Sequence, residues 1–174
     1  MRLWIVLTAA LLASACSSGF SSGVDGSKPF STLTPAEAMT ACESLNDYVQ
    51  STFPPAQIDQ TNCYLQALES TTSPSDCQTS YEACLSSPPS GPLSFRRSDC
   101  SGVTNDPTCT ARVSEVESCL TARIGDQKDQ LDAIDCSIAG DPAAIRDASA
   151  TLTAPPECTA LVETCPSLAG IAEG

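Results

Sequence analysis

No histidine occurs in the 174 residues, and only eight lysines and arginines stand against 21 aspartates and glutamates. Without imidazole the chain lacks the side chain that titrates near neutral pH and serves most often as general base and metal ligand. A formal charge of −13 opposes phosphate backbones, so nucleic acid is not an expected partner. Aromatic residues make up 5% of the chain, which leaves a light core for one domain of this length. No apolar run reaches the roughly 20 residues of a helical membrane span. P-loop, G-x-G-x-x-G and C-x-x-C patterns are missing, so no cofactor is expected. The G-x-S-x-G match from Gly19 to Gly23 sits in a Ser/Gly-rich stretch and has no histidine to take a serine proton.

What is present begins at the N-terminus. Residues 3–12 form an apolar run broken only by Thr8, with Arg2 before it and Ala13, Ser14 and Ala15 after it. That is the anatomy of an export signal over residues 1–15. Leu12-Ala13-Ser14-Ala15-Cys16 resembles the bacterial lipobox, with Ala13 where leucine is usual. The resemblance implies that Cys16 is lipidated and becomes the new N-terminus, with the membrane as a partner through the lipid anchor. Ser17 directly after it implies sorting to the outer membrane of a Gram-negative cell. An ordinary signal peptidase cut after Ala15 is the alternative, because Ala13-x-Ala15 also fits the A-x-A rule. It would give a periplasmic or secreted, unlipidated protein with an odd thiol at residue 16. Residues 16–33, rich in Ser and Gly, read as a flexible tether behind which the domain begins.

Ten of the eleven cysteines remain once Cys16 is set aside: Cys42, Cys63, Cys77, Cys84, Cys100, Cys109, Cys119, Cys136, Cys158 and Cys165. An exported chain meets an oxidising compartment, so five disulfides are the expectation. Zinc sites want close pairs, often with histidine, and none is present. Ten cysteines allow roughly 950 pairings, and spacing does not choose among them. Spacing does exclude two, because Cys77 and Cys84, and likewise Cys158 and Cys165, lie seven apart on predicted helices, roughly 10 Å between Cα atoms. A disulfide needs less than about 7 Å.

The pattern predicts an all-α domain over 34–166, a small disulfide-stapled bundle of four to six short helices, with 167–174 as a C-terminal tail. Thr34-Pro35-Ala36-Glu37 opens the first helix, which stops at Phe53-Pro54-Pro55. A second helix is expected over 56–69, a third from Ser73-Pro74, a long one over 112–136 containing Gly125, and short ones over 142–150 and 156–164. Residues 86–107 read as a long loop pinned by Cys100 and Cys109. Tyr81-Glu82-Ala83-Cys84-Leu85, Val116-Glu117-Ser118-Cys119-Leu120 and Val162-Glu163-Thr164-Cys165 share one phrase, either a reused helix face or a coincidence of composition. The lipobox, tether, helix start and spaced cysteines together resemble predicted cysteine-rich lipoproteins of myxobacterial envelopes, which have no assigned activity.

Candidate chemistry is sparse. Asp126, Asp129, Asp132 and Asp135 fan around one helix as a solvated face and do not follow a calcium-loop spacing. Phe95, Arg96 and Arg97 hold the one basic pair in a loop and are candidates for a partner contact, protein or glycan. Glu82, Glu117 and Glu163 are the acids that a carboxylate-only hydrolase would draw on. The preferred reading is a non-enzymatic, envelope-anchored lipoprotein acting as a binding or structural module. No catalytic or metal-binding residue is assigned.

Overall fold

The computed structural model describes residues 19–88, 91, 93–102 and 106–168. The export-type segment and Cys16 lie outside them. The described residues carry six α-helices and no named strand: α1 (Pro35–Thr52), α2 (Pro55–Ser70), α3 (Pro74–Leu85), α4 (Val113–Asp132), α5 (Pro142–Ala148) and α6 (Pro156–Thr164). Every helix except α4 begins on a proline, whose fixed φ suits the first turn and whose missing N–H is not needed there. Caps complete these starts. Glu37 N–H donates to Thr34 Oγ1 at 3.3 Å while Thr34 N–H donates to Glu37 Oε2 at 2.8 Å, and the Asp141 carboxylate accepts from Ala143 and Ala144 N–H at 2.9 and 3.1 Å.

The long helix α4 is the spine between two apolar clusters. Its first half sends Val116, Cys119 and Leu120 into one cluster with Phe20, Cys158 and Leu161; its second half sends Ile124 and Leu131 into another with Phe53, Ile58, Leu68 and Tyr81. The α2–α3 pair packs in the latter cluster, α6 in the former. The helix runs through Gly125 without a break but ends at Asp132, short of the expected Cys136. The cause is Asp135, which does not extend the acidic ladder. Its carboxylate accepts the Ser137 N–H at 2.7 Å and starts a 3-10 turn, Cys136–Ile138, that turns Cys136 toward α3.

Five disulfides close the fold: Cys42–Cys100, Cys63–Cys84, Cys77–Cys136, Cys109–Cys165 and Cys119–Cys158. As helical spacing required, Cys77 and Cys84 bridge to different segments, and so do Cys158 and Cys165. Cystine also fills the interior. Among the described residues, the side chains that are completely enclosed are Phe53 and six half-cystines, which shows what occupies a core with few aromatics. Five disulfides place this domain in an oxidising, extracytoplasmic compartment, and no described helix is long and apolar enough to cross a membrane.

The expected tether needs correction from Gly19 onward, because residues 19–33 pack as part of the domain. They run antiparallel along α4: Phe20 N–H donates to Thr121 Oγ1 at 2.9 Å, and the Ser22 N–H and hydroxyl both donate to Glu117 Oε1 at 2.6 and 2.7 Å. The Ser114 and Val113 amides then donate to Gly26 O and Lys28 O, at 2.9 and 3.0 Å. Those two amides belong to the first turn of α4, where no helical carbonyl can serve them, so this segment supplies the missing acceptors. Gly26 permits the approach, since a Cβ there would stand 3.2 Å from the Ser114 Cβ. The expected tail also starts later than residue 167, because Leu168 packs against the cluster around α6.

Two outcomes follow from this packing. A Cβ at Gly125 would meet nothing within 4 Å, so Gly125→Ala should stabilise the protein by about 1 kcal/mol, read as a rise of roughly 3 °C in melting temperature. Under graded reduction, Cys42–Cys100, both partly exposed, should open first, while Cys109–Cys165 and Cys119–Cys158, with all four residues at 0% exposure, should persist. Alkylation and peptide mapping report the order.

Candidate functional site

The loop that carries Phe95, Arg96 and Arg97 is held by amide side chains from α1 and α2. Asn46 donates to Ser98 O at 3.0 Å and accepts from Ser98 N–H at 2.9 Å; Asn62 does the same with Leu93, both bonds at 3.1 Å. Gln50 adds a donor to Phe95 O at 2.7 Å. These asparagines are buried, and each offers one donor and one acceptor to a single backbone residue, as a neighbouring strand would. Gly91 lies directly over Asn62, where a Cβ would fall 2.1 Å from the amide carbon.

That arrangement corrects the reading of the three loop residues. Phe95 stacks on Phe53 with ring centroids 4.3 Å apart, so it packs on the core. Arg97 pairs with Asp47 at 2.7 Å, both side chains mostly exposed, which is worth little in stability but occupies its charge. Arg96 lines a polar cleft of about 360 Å³ with Asp59 and Gln50 and has no ion pair among the described residues.

The candidate acids are not brought together. Glu82 is exposed on α3 and accepts from Gln78 at 2.9 Å. Glu163 lines a cleft of about 500 Å³ between α4 and α6 with Glu115 and Glu157, where Glu115 already accepts the Arg112 N–H at 2.6 Å. Glu117 is half-buried on the other side and holds Ser22. Asp132 takes Lys128 and Gln57, and Asp126 and Asp129 line an open groove. Among the described residues no three acidic or cysteine side chains are grouped so as to hold a metal. Tyr64, stacked on Tyr81 at 3.9 Å, is pushed up to about 12 by burial first and by Tyr81 second, so it stays a neutral phenol in ordinary buffers.

The most enclosed apolar space lies beneath the N-terminal segment. A pocket of about 170 Å³ is walled by Phe20, Phe30 and Leu33 from that segment, Leu45 from α1, and Val116 and Leu120 from α4. Glu117 and Ser22 are its polar members. The sequence reading missed it because its roof was read as a tether. Phe20, Phe30 and Leu33, three large apolar side chains in a stretch of small polar ones, were the available signal. The roof is pinned by Lys28, whose ammonium donates to both Glu37 oxygens at 2.7 and 2.6 Å. No protein-family model, curated protein or solved structure matches the chain.

Lys28 gives the roof a pH signature. Its hydrogen bond, and then the Thr34 N–H and hydroxyl, hold the Glu37 carboxyl down from its ordinary 4.5 to about 2. A lowered folded-state value stabilises above the unfolded value and is lost on acidification, so the roof should loosen as pH falls from about 4.5 toward 2. Carboxyl NMR titration should place the Glu37 midpoint near 2 in the wild type and back near 4.5 in Lys28→Met plus Thr34→Ala.

Proposed function

We propose that the chain is a non-enzymatic lipoprotein of the cell envelope, anchored through Cys16 and acting as a binding or structural module outside the cytoplasm. The observation that carries the reading is the pairing of the cysteines. All ten in the described domain are consumed by five internal disulfides, so the remaining one is Cys16, at the lipobox-like position. Thiols inside the domain offer no alternative partner for it. The acyl groups of a lipidated cysteine supply more than the marginal hold of a single chain, enough to retain an acidic domain at a membrane. Ser17 favours the outer membrane as the destination.

Packing from Gly19 onward changes how such a protein would stand. Only Ser17 and Ser18 lie between Cys16 and the first packed residue, which at full stretch reach on the order of 10 Å, against about 60 Å for a tether running to residue 33. The domain would ride close to the lipid surface with the Phe20–Thr121 end of α4 nearest to it. Cys16→Ser should abolish incorporation of labelled fatty acid and move the protein from the membrane fraction to the periplasm or medium. A wild-type protein that takes up no label and fractionates as soluble would sink the anchor and leave the cut after Ala15.

A further inference from the structure

We propose that the pocket under the N-terminal segment binds a small amphiphile, an apolar chain of about six carbons or somewhat more that ends in a protonated amine. This names a ligand class for the binding module proposed above and rests on that reading. The chemistry itself comes from the walls and from one carboxylate.

The size is set by volume. At about 170 Å³ the pocket is close to the engineered apolar cavity of roughly 150 Å³ that takes up benzene. Phe20, Phe30, Leu45 and Leu120 offer carbon surface and few hydrogen-bonding groups, so the buried part of a ligand must be apolar too. A peptide or sugar would leave unpaired polar groups against these walls.

The head group is set by Glu117, the one charged side chain in the lining. Its two oxygens are unequal. Oε1 already accepts from the Ser22 N–H and hydroxyl, which fixes the carboxylate against the roof. Oε2 accepts no hydrogen bond from the described residues, and no half-buried or buried side-chain oxygen is both enclosed and unpartnered. Oε2 is therefore open to solvent beside the apolar walls. A ligand with its chain in the pocket and an ammonium at this oxygen satisfies both parts of the site. A fatty acid would bring a second negative charge to Glu117 in a chain whose net charge is already −13.

The test uses the exported full chain carrying Cys16→Ser, so that the result does not depend on the anchor, with calorimetric titration of octylammonium, octanol and octanoate at neutral pH. Octylammonium should bind with octanol next, and should exceed octanoate by roughly tenfold, the combined effect of an attraction gained and a repulsion avoided at a partly exposed site. In Glu117→Gln, whose amide oxygen can still accept from Ser22, octylammonium and octanoate should come within about twofold of each other while octanol binding stays. Ala41→Phe, which fills the pocket, should remove all three. Failure of every probe to bind the folded wild-type pocket overturns the proposal, as does octanoate matching octylammonium, or undiminished binding to a folded Ala41→Phe. Fatty-acid labelling of the Cys16 chain is scored separately, so failure of the anchor and failure of the pocket give different results.

Discussion

Covalent closure is the constraint on which this fold depends. Aromatics are few, α5 and α6 are short, and two modest apolar clusters share one long helix instead of merging into a single large core. The five disulfides span separations of 21 to 59 residues, in the range where each restricts the unfolded chain by about 3–4 kcal/mol in the loop-entropy account. They also act as packing. Six half-cystines occupy the fully enclosed positions that larger side chains hold in other domains, so the same atoms restrict the unfolded state and fill the folded one. Each cluster is thereby stapled across different parts of the sequence, and α4 can bridge them without a partner along its whole length.

Helix starts were legible because they rest on local chemistry. Proline at the first position, Thr34 with Glu37, Ser73 with Asp76 and Asp141 ahead of Ala143 each act over three or four residues, and the structure builds each of them. The end of α4 was less legible, since apolar spacing continues through Ile134 and Ile138. What stops the helix is a competition at Asp135, between extending α4 and capping the turn that delivers Cys136 to Cys77. Pairings among the ten cysteines were outside the reach of spacing, apart from the two pairs that helical rise forbids.

Composition misled at the N-terminal segment. Serine and glycine usually mark a chain that cannot pack, yet here small residues let the backbone lie close on α4, and three large apolar side chains anchor it. Of the acids in the repeated phrase, Glu117 differs from Glu82 and Glu163 only through what lies over it. Nothing in the phrase itself announces that, because Ser22 is 95 residues away in sequence. The loop residues Phe95 and Arg97 were similarly ambiguous: one is engaged by Phe53 and the other by Asp47, both on or beside α1.

Asn46 and Asn62 grip their loop residues by the backbone alone. Each uses a donor and an acceptor that every residue except proline can answer, so side chains at Leu93 and Ser98 are not selected by the amide that holds them. The segment is fixed in path but not in spelling. Substitutions at its outward positions can alter the charge and shape displayed beside α1 and α2 while the grip and the Cys42–Cys100 bridge stay as they are, whereas proline at either gripped position breaks one bond of the pair and insertions shift the register. A frame of this kind lets surface identity drift between related chains faster than the helices beneath it.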